Sequence, residues 1–427
     1  MPSPAQLLEQ AIAAFAADGD PSALTAGETQ QAAHALASSP MTPQEAELVL
    51  VTFGLPLVRL GVNQVSPGEL DAIAAALPVF DQSQARYLEP SDFNRLLDRL
   101  DRAARTFRNR LKGGGAEPVA WAALARWRGA LTAAASAGHP KMSRWLISQA
   151  STLRTLFRVT GDRSTLDAAV AAARRGFELT PRDKPFWCPI AGSYGQTLLV
   201  LHEQTGDLAA LELSLQLGRR AFAEFEGLDH VRVAMASALV GPLMRHYEVT
   251  GDTAAAEEGV AMARLALQLS QPGDPDIRSW AGNLCQAATT LARATGDLAL
   301  AEEAVAAGQT AVAGREAPAP SHAAALSNYG YALHILAHIT GDLDTRRRAV
   351  AMGREAVDLT PRTDPGKPEQ ANNLAEALYG LYQATGDTAA LEEAISAWEL
   401  ALELAPEGYL GREEYMERLA AAKPARA

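Results

Sequence analysis

One tripeptide recurs at a fixed interval and constrains this chain more than any other feature. Thr-Gly-Asp stands at residues 160–162, 205–207, 250–252, 295–297, 340–342 and 385–387, so Gly161, Gly206, Gly251, Gly296, Gly341 and Gly386 are 45 residues apart at every step. A fixed period of this length is the signature of a stacked array of supersecondary units. The flanks repeat with it. Five, eight and twelve residues before the glycines the side chains are mostly large and apolar, as in Leu336, Leu333 and Tyr329 of the fifth copy. Offsets of three and four draw one stripe on a helix, here named helix A. Eight residues after each glycine the side chain is small (Ala169, Ser214, Gly259, Ala304, Ala349, Ala394), and nine after it is branched aliphatic (Val170, Leu215, Val260, Val305, Val350, Ile395). That is a second helix, B, with small residues where another backbone must approach closely.

The turn between the two helices has a mechanical explanation. Glycine just past a helix end closes the last turn in the left-handed conformation, and aspartate accepts the unpaired N–H groups of the next helix. One carboxylate per turn is too few oxygens for a calcium site. Proline recurs 21 residues before the glycine, at Pro140, Pro185, Pro275, Pro320 and Pro365, with His230 the exception. Proline is tolerated at a helix start and stops continuation of the helix before it. Six units follow: 140–184, 185–229, 230–274, 275–319, 320–364 and 365–409. A hairpin that cannot bury both faces alone must stack on its neighbours, so the expected fold is an all-α solenoid.

The helix B spacing of Ala349, Ala356 and Pro361, met again by Ala394, Ala401 and Pro406, resembles that of tetratricopeptide repeats. The 45-residue unit departs from the 34-residue family unit by a longer helix A and by extra residues at the corner and between units. It is similar to elongated repeats of actinobacterial proteins, which accompany caspase-like CHAT proteases or nucleotide-binding signalling ATPases. The resemblance implies a right-handed superhelix whose helices A line a concave, partner-binding face.

Outside the array the register is lost. Residues 1–90 carry amphipathic helices near 4–17, 27–38, 43–60 and 67–78 and are expected to form an N-terminal helical cap or small bundle, with the boundary at the linker 81–84. Residues 91–139 read as a degraded unit, with Gly113, Gly114 and Gly115 at its turn and Trp121, Leu124, Trp127 and Leu131 along its second helix. Residues 410–427 read as a capping helix and tail, the polar-faced helix spanning 408–422 and including Tyr409, Tyr415 and Leu419.

Composition narrows the function classes. A net charge of −12, from 38 Lys+Arg against 50 Asp+Glu, disfavours nonspecific binding to nucleic acid or anionic lipid. The one basic stretch is 92–112, where Arg95, Arg99, Arg102, Arg105, Arg108, Arg110 and Lys112 outnumber Asp92, Asp98 and Asp101; pairs such as Asp98–Arg102 and Asp101–Arg105 suit a solvated helix face. Two cysteines, Cys188 and Cys285, fit a reducing cytoplasm. The start lacks a cationic signal region, and the most apolar run, Leu48 to Val58, is too short to span a bilayer.

Motifs for catalysis fail one by one. Gly366-Lys367-Pro368 lacks the glycine spacing and hydroxyl of a phosphate loop, and Gly192-Ser193-Tyr194-Gly195 lies in a helix and not at a nucleophile elbow. Cys188, near the start of a helix A, is placed for a lowered thiol pKa but has no assigned histidine. His334 and His338 have half-site zinc spacing, yet the neighbouring units offer them only Thr289, Arg293, Tyr379 and Gln383. The expectation is a protein without catalytic residues, cofactor or metal.

What varies within the repeat is more telling than what recurs. The polar, non-repeating residues of helix A are Arg144, Arg154, Gln196, Arg245, Gln286, Asn328, Tyr331, His334, Asn373, Glu376 and Tyr379. These are the expected concave-face contacts to a protein or peptide partner. Asn283, Asn328 and Asn373 match a family asparagine that can hydrogen-bond an extended peptide. The leading reading is an interaction scaffold or adaptor. The alternatives are a regulatory or sensor component working with a separate protease or ATPase, and a small-molecule binder or enzyme with an unrecognised pocket. The sequence leaves self-association open.

Overall fold

The computed structural model describes residues 2–20, 22–59, 66–112, 117–135, 138–271, 273–274, 276–314, 319–362, 364, 366–405, 407, 409 and 411–423. Among them are twenty α-helices and no strand. They fall into two compact units, 1–180 and 181–427. Gly113, Gly114, Gly115, Pro275, Pro365 and Pro406 lie outside the described residues.

The second unit comprises α10 (Trp187–Thr205), α11 (Leu208–Glu224), α12 (Asp229–Thr250), α13 (Thr253–Leu269), α14 (Ile277–Thr295), α15 (Leu298–Val312), α16 (Ala319–Thr340), α17 (Leu343–Leu359), α18 (Lys367–Thr385), α19 (Thr388–Leu404) and α20 (Arg412–Ala422). Each even helix packs on the odd helix after it, and each odd helix packs on the next even one. The even helices α10 to α18, the helices A, also touch their successors. This is the tandem hairpin array that the period dictates. Helix A begins 22 residues before the corner glycine both at Asp229, where His230 replaces the proline, and at Ala319, where Pro320 is kept.

All three residues of the corner are used. The glycines adopt φ of +68° to +75°, the region a Cβ disfavours. The aspartate carboxylate accepts from backbone N–H two or three residues on, as Asp297 does from Ala299 and Leu300. The threonine couples the two helices. Its hydroxyl donates to a carbonyl four residues back, such as Thr340 to Leu336 at 2.9 Å, and accepts the aspartate N–H, such as Asp342 at 3.3 Å. One hydroxyl therefore satisfies an orphan carbonyl of helix A and an N–H at the start of helix B.

The small positions mark close approaches. A Cβ on Gly330 would lie 3.2 Å from the Ala349 carbonyl and the Gly353 nitrogen. Twelve residues after the corner glycine the side chain is Ala173, Gly218, Ala263, Gly308, Gly353 and then Trp398. A Cβ on Gly353 would meet Leu374 of the following helix A at 3.1 to 3.3 Å. In the last hairpin that socket is filled instead by Trp398, 1% exposed, with Leu419 and Ala422 of α20 in the same cluster.

Paired arginine and glutamate side chains tie successive helices B on the solvent side. Arg219 bonds Glu258, Arg264 bonds Glu303 and Arg354 bonds Glu393, each through two guanidinium nitrogens and each across 39 residues. The rung breaks where Gln309 and Arg348 hold the equivalent positions; Arg348 donates instead to the Tyr329 hydroxyl at 2.8 Å.

The first unit contains α1 (Pro4–Asp18), α2 (Ser22–Thr25), α3 (Gly27–Ala37), α4 (Pro43–Arg59), α5 (Pro67–Ala76), α6 (Pro90–Lys112), α7 (Pro118–Ala134), α8 (Met142–Thr160) and α9 (Arg163–Glu178). One apolar core runs through it from Leu8 to Leu156. The linker after 81–84 is pinned to that core. Glu47, 2% exposed, accepts the backbone N–H groups of Arg86, Tyr87 and Leu88 at 2.6 to 2.9 Å. No described helix is long and apolar enough to cross a membrane.

Candidate functional site

Helices A of the second unit, with the start of α20, line one hollow of about 800 Å³. Of the residues singled out from the sequence, Arg245, Gln286, Asn328, Tyr331, Asn373 and Glu376 meet in its wall. Their convergence follows from the period: the same face of each helix A is presented, unit after unit, toward the same space. Arg245 on α12 acts electrostatically on Glu369 on α18, three units along the chain. The array therefore bends enough to bring distant helices A face to face.

The remaining candidates lie elsewhere. Arg144 and Arg154 belong to the first unit. Gln196 donates its amide to the Ala238 carbonyl of the next helix A. Tyr379 packs edge-on against Trp398 at 5.6 Å, in the core. His334 stacks on Tyr331 at 5.8 Å and closes on Gly380, where a Cβ would lie 2.9 Å from its ring. Burial, then the charges of Arg346 and His338, hold its pKa down at about 3, so the ring is neutral at physiological pH. Among the described residues no group of three or more His, Cys, Asp or Glu side chains could hold a metal.

The recurring asparagines link units. Asn283 donates to the Ser237 hydroxyl at 2.8 Å and Asn373 to the Ser327 hydroxyl at 3.1 Å, each joining consecutive helices A. Both cysteines are buried and free. The expectation of a lowered Cys188 pKa is reversed, because burial and then the nearby Glu224 carboxylate push the thiol up. Burial likewise takes Cys285 up to about 12.

The wall is polar and leans negative. Glu203, Glu248, Glu369, Glu376 and Glu414 face Arg245 and Arg293. Several of these charges are already paired. Arg245 holds Glu248 at 2.5 Å, and Arg418 of α20 holds Glu376 at 3.3 Å and Glu414 at 2.7 Å. Glu376 is almost wholly buried; loss of water raises its carboxyl pKa and Arg418 pulls it back. Arg293 donates to the Tyr331 hydroxyl at 3.2 Å. Glu369 differs from the rest. Its side chain reaches water inside the hollow, and among the described residues no hydrogen bond or ion pair occupies its carboxylate. The protein surrounding it raises its pKa, Arg245 opposes that, and Glu248 and Glu203 add to it.

Sequence reasoning had no route to one wall of the hollow. Glu414 and Tyr415 lie in α20, beyond the 45-residue register, and Tyr409 is the last residue of the sixth unit, where the sequence suggests only a cap. The rings of Tyr409 and Tyr415 lie 6.0 Å apart, tilted by 41°, and burial raises both hydroxyl pKa values. The wall thus offers amides, hydroxyls and carboxylates for recognition, with one carboxylate left uncommitted.

No family model matches the chain, and no curated protein matches it. Solved structures that it resembles include the nuclear import adaptor Nro1 of S. pombe in two crystal forms. One is 18% identical, covering 65% of this chain and 99% of that one at a TM-score of 0.38. The other is 16% identical, covering 67% and 98%, also at 0.38. A third, described as a DHF58 filament, is 18% identical over 67% of this chain and 97% of that one, with a TM-score of 0.16. TM-scores this far below 0.5 leave no common superposition through which residues or partners could be transferred.

Proposed function

We propose that this protein is a non-catalytic interaction module, built of tetratricopeptide-like repeats and working in a reducing cytoplasm, that grips a partner protein's extended segment in the hollow of its second unit. The single observation that carries this reading is the convergence of six helix A residues on one polar space whose Glu369 carboxylate is exposed and unbonded. An apolar ligand would strand the polar wall, since burying unpaired polar groups is costly. A segment bearing lysine or arginine satisfies it: the cation meets Glu369, backbone groups meet Gln286 and Asn328, and the aromatic rings of Tyr409 and Tyr331 flank the chain.

Selection from a displayed random-peptide library on the full chain tests this. Enrichment of peptides with Lys or Arg is expected, together with at least a tenfold loss of affinity in Glu369→Gln, because a hydrogen-bonded charge pair contributes about 1.5–3 kcal/mol. Affinity should also fall as pH drops, and at a higher pH than an ordinary glutamate would dictate, because protonation of the raised carboxyl removes the negative partner. Enriched peptides that bind Glu369→Gln and Gln286→Ala as tightly as the native chain would refute the assignment.

A further inference from the structure

The basic run of the first unit resolves into something more specific than a solvated helix face. All three of its acids are consumed in pairs, Asp92 with Arg95 at 3.5 Å. Asp101 holds Arg105 at 3.2 Å, and Asp98 holds Lys141 at 2.7 Å in place of Arg102. Arg108, Arg128 and Arg144 are left with no carboxylate among the described residues. Arg128 on α7 is the anomaly. Its side chain is only 2% exposed, and none of its three guanidinium nitrogens has a hydrogen-bond partner. An unpaired buried charge is among the costliest features a fold can carry. Burial and the charges of Arg108 and Arg105 bring its pKa down to about 10, with Asp101 opposing.

Asp101 and Arg105 of α6, whose charges act on Arg128, line a small polar cavity of about 130 Å³ together with Lys141 and with Arg144, Trp145 and Ser148 of α8. Trp145, 2% exposed, has an indole N–H without a partner, and its ring is stacked on His139 at 4.4 Å. Donors thus outnumber acceptors: an orphan indole N–H, an uncommitted guanidinium at the rim, a hydroxyl and the spare N–H groups of Lys141 surround a single carboxylate, Asp101, which Arg105 already holds.

We propose that this cavity is an anion site for a single phosphate group, bound between α6 and α8 and electrostatically backed by Arg128. One anion there resolves both anomalies, giving Trp145 an acceptor and Arg128 a counter-charge. The number of donors favours phosphate over carboxylate, since Arg144, Arg105, Lys141, Trp145 and Ser148 together exceed what two carboxylate oxygens can accept. The volume admits one such group. The group arrives either as free phosphate or on a phosphorylated side chain. This site is independent of the hollow in the second unit.

Calorimetric titration of the full chain at constant ionic strength, with inorganic phosphate in one arm and a short phosphoserine peptide in the other, decides the matter. One saturable site is expected. Arg144→Ala, an exposed substitution, should weaken it about tenfold or more, and Trp145→Phe, which deletes only the N–H and one ring, should weaken it severalfold. Tighter peptide binding identifies a phosphorylated partner as the source, and equal affinities identify free phosphate. Arg128→Met should raise Tm in phosphate-free buffer and abolish the further rise that phosphate gives the native chain. Heats indistinguishable from those of chloride, acetate binding as tightly as phosphate, or Arg144→Ala titrating like the native protein would overturn the proposal. So would an Arg128→Met chain that loses Tm equally with and without phosphate.

Discussion

The outer and inner faces of the second unit are built from the same repeats under opposite rules. Outside, the helices B carry one arginine and one glutamate at fixed positions, and the rungs 219–258, 264–303 and 354–393 are copies of one another. Inside, the residues facing the hollow change from unit to unit, and no two helices A present the same set. What recurs holds units together; what varies is free to recognise something. The break in the ladder at Gln309 and Arg348 falls in the same hairpins whose helices A supply Arg293 and Tyr331 to the wall.

That contrast can be attacked from the core outward. Trp398→Ala should cost the most, about 3–5 kcal/mol by urea denaturation, because it empties the socket of the last hairpin and strands the Asn372 side-chain Oδ1 that accepts the indole N–H at 3.0 Å. A loss under 1 kcal/mol would mean that α20 does not depend on this residue. The inner stack gives a pH signature. His334 is held neutral in the folded state, so the unfolded chain binds the extra proton below its ordinary pKa near 6.5. Stability should fall as pH drops from about 6.5 toward 3, by at most about 1.4 kcal/mol per unit. Urea midpoints of His334→Gln at pH 7 and pH 5 should show a flatter dependence than the native chain. The outer ladder should matter least. A double-mutant cycle on Arg264→Ala and Glu303→Ala is expected to give about 0.5 kcal/mol of coupling, vanishing in about 1 M salt. Coupling above 2 kcal/mol would make the ladder a primary determinant of stacking.

Much of the fold was legible because periodicity reports on packing. The interval fixed the hairpins, the glycines fixed the left-handed corners, and small residues opposite one another marked close backbones. The helices of residues 1–90 were also readable from their amphipathic faces, though the short α2 was not, at four residues. The site was legible only in part. Polar variation on helix A finds Arg245, Gln286 and Glu376, but it also returns His334 and Tyr379, which turn sideways into packing. A helix wheel separates faces and does not tell a lining residue from one at the seam between two units. The α20 wall lies outside the register altogether, so only three-dimensional placement brings Tyr415 and Glu414 to the hollow. Nothing in the sequence around Arg128 signals that its guanidinium is buried.

The tryptophan at position 398 carries a further implication for growth of the molecule. In the four preceding hairpins of the second unit that place is kept small, and at Gly218, Gly308 and Gly353 the next helix A docks against it, whereas here an indole occupies the berth. Inserting a duplicated module after α19 would therefore meet a plug as well as displace the helix that completes the inner wall. Lengthening this protein by copying would require reopening that berth first, and it would dismantle the recognition surface in the same step.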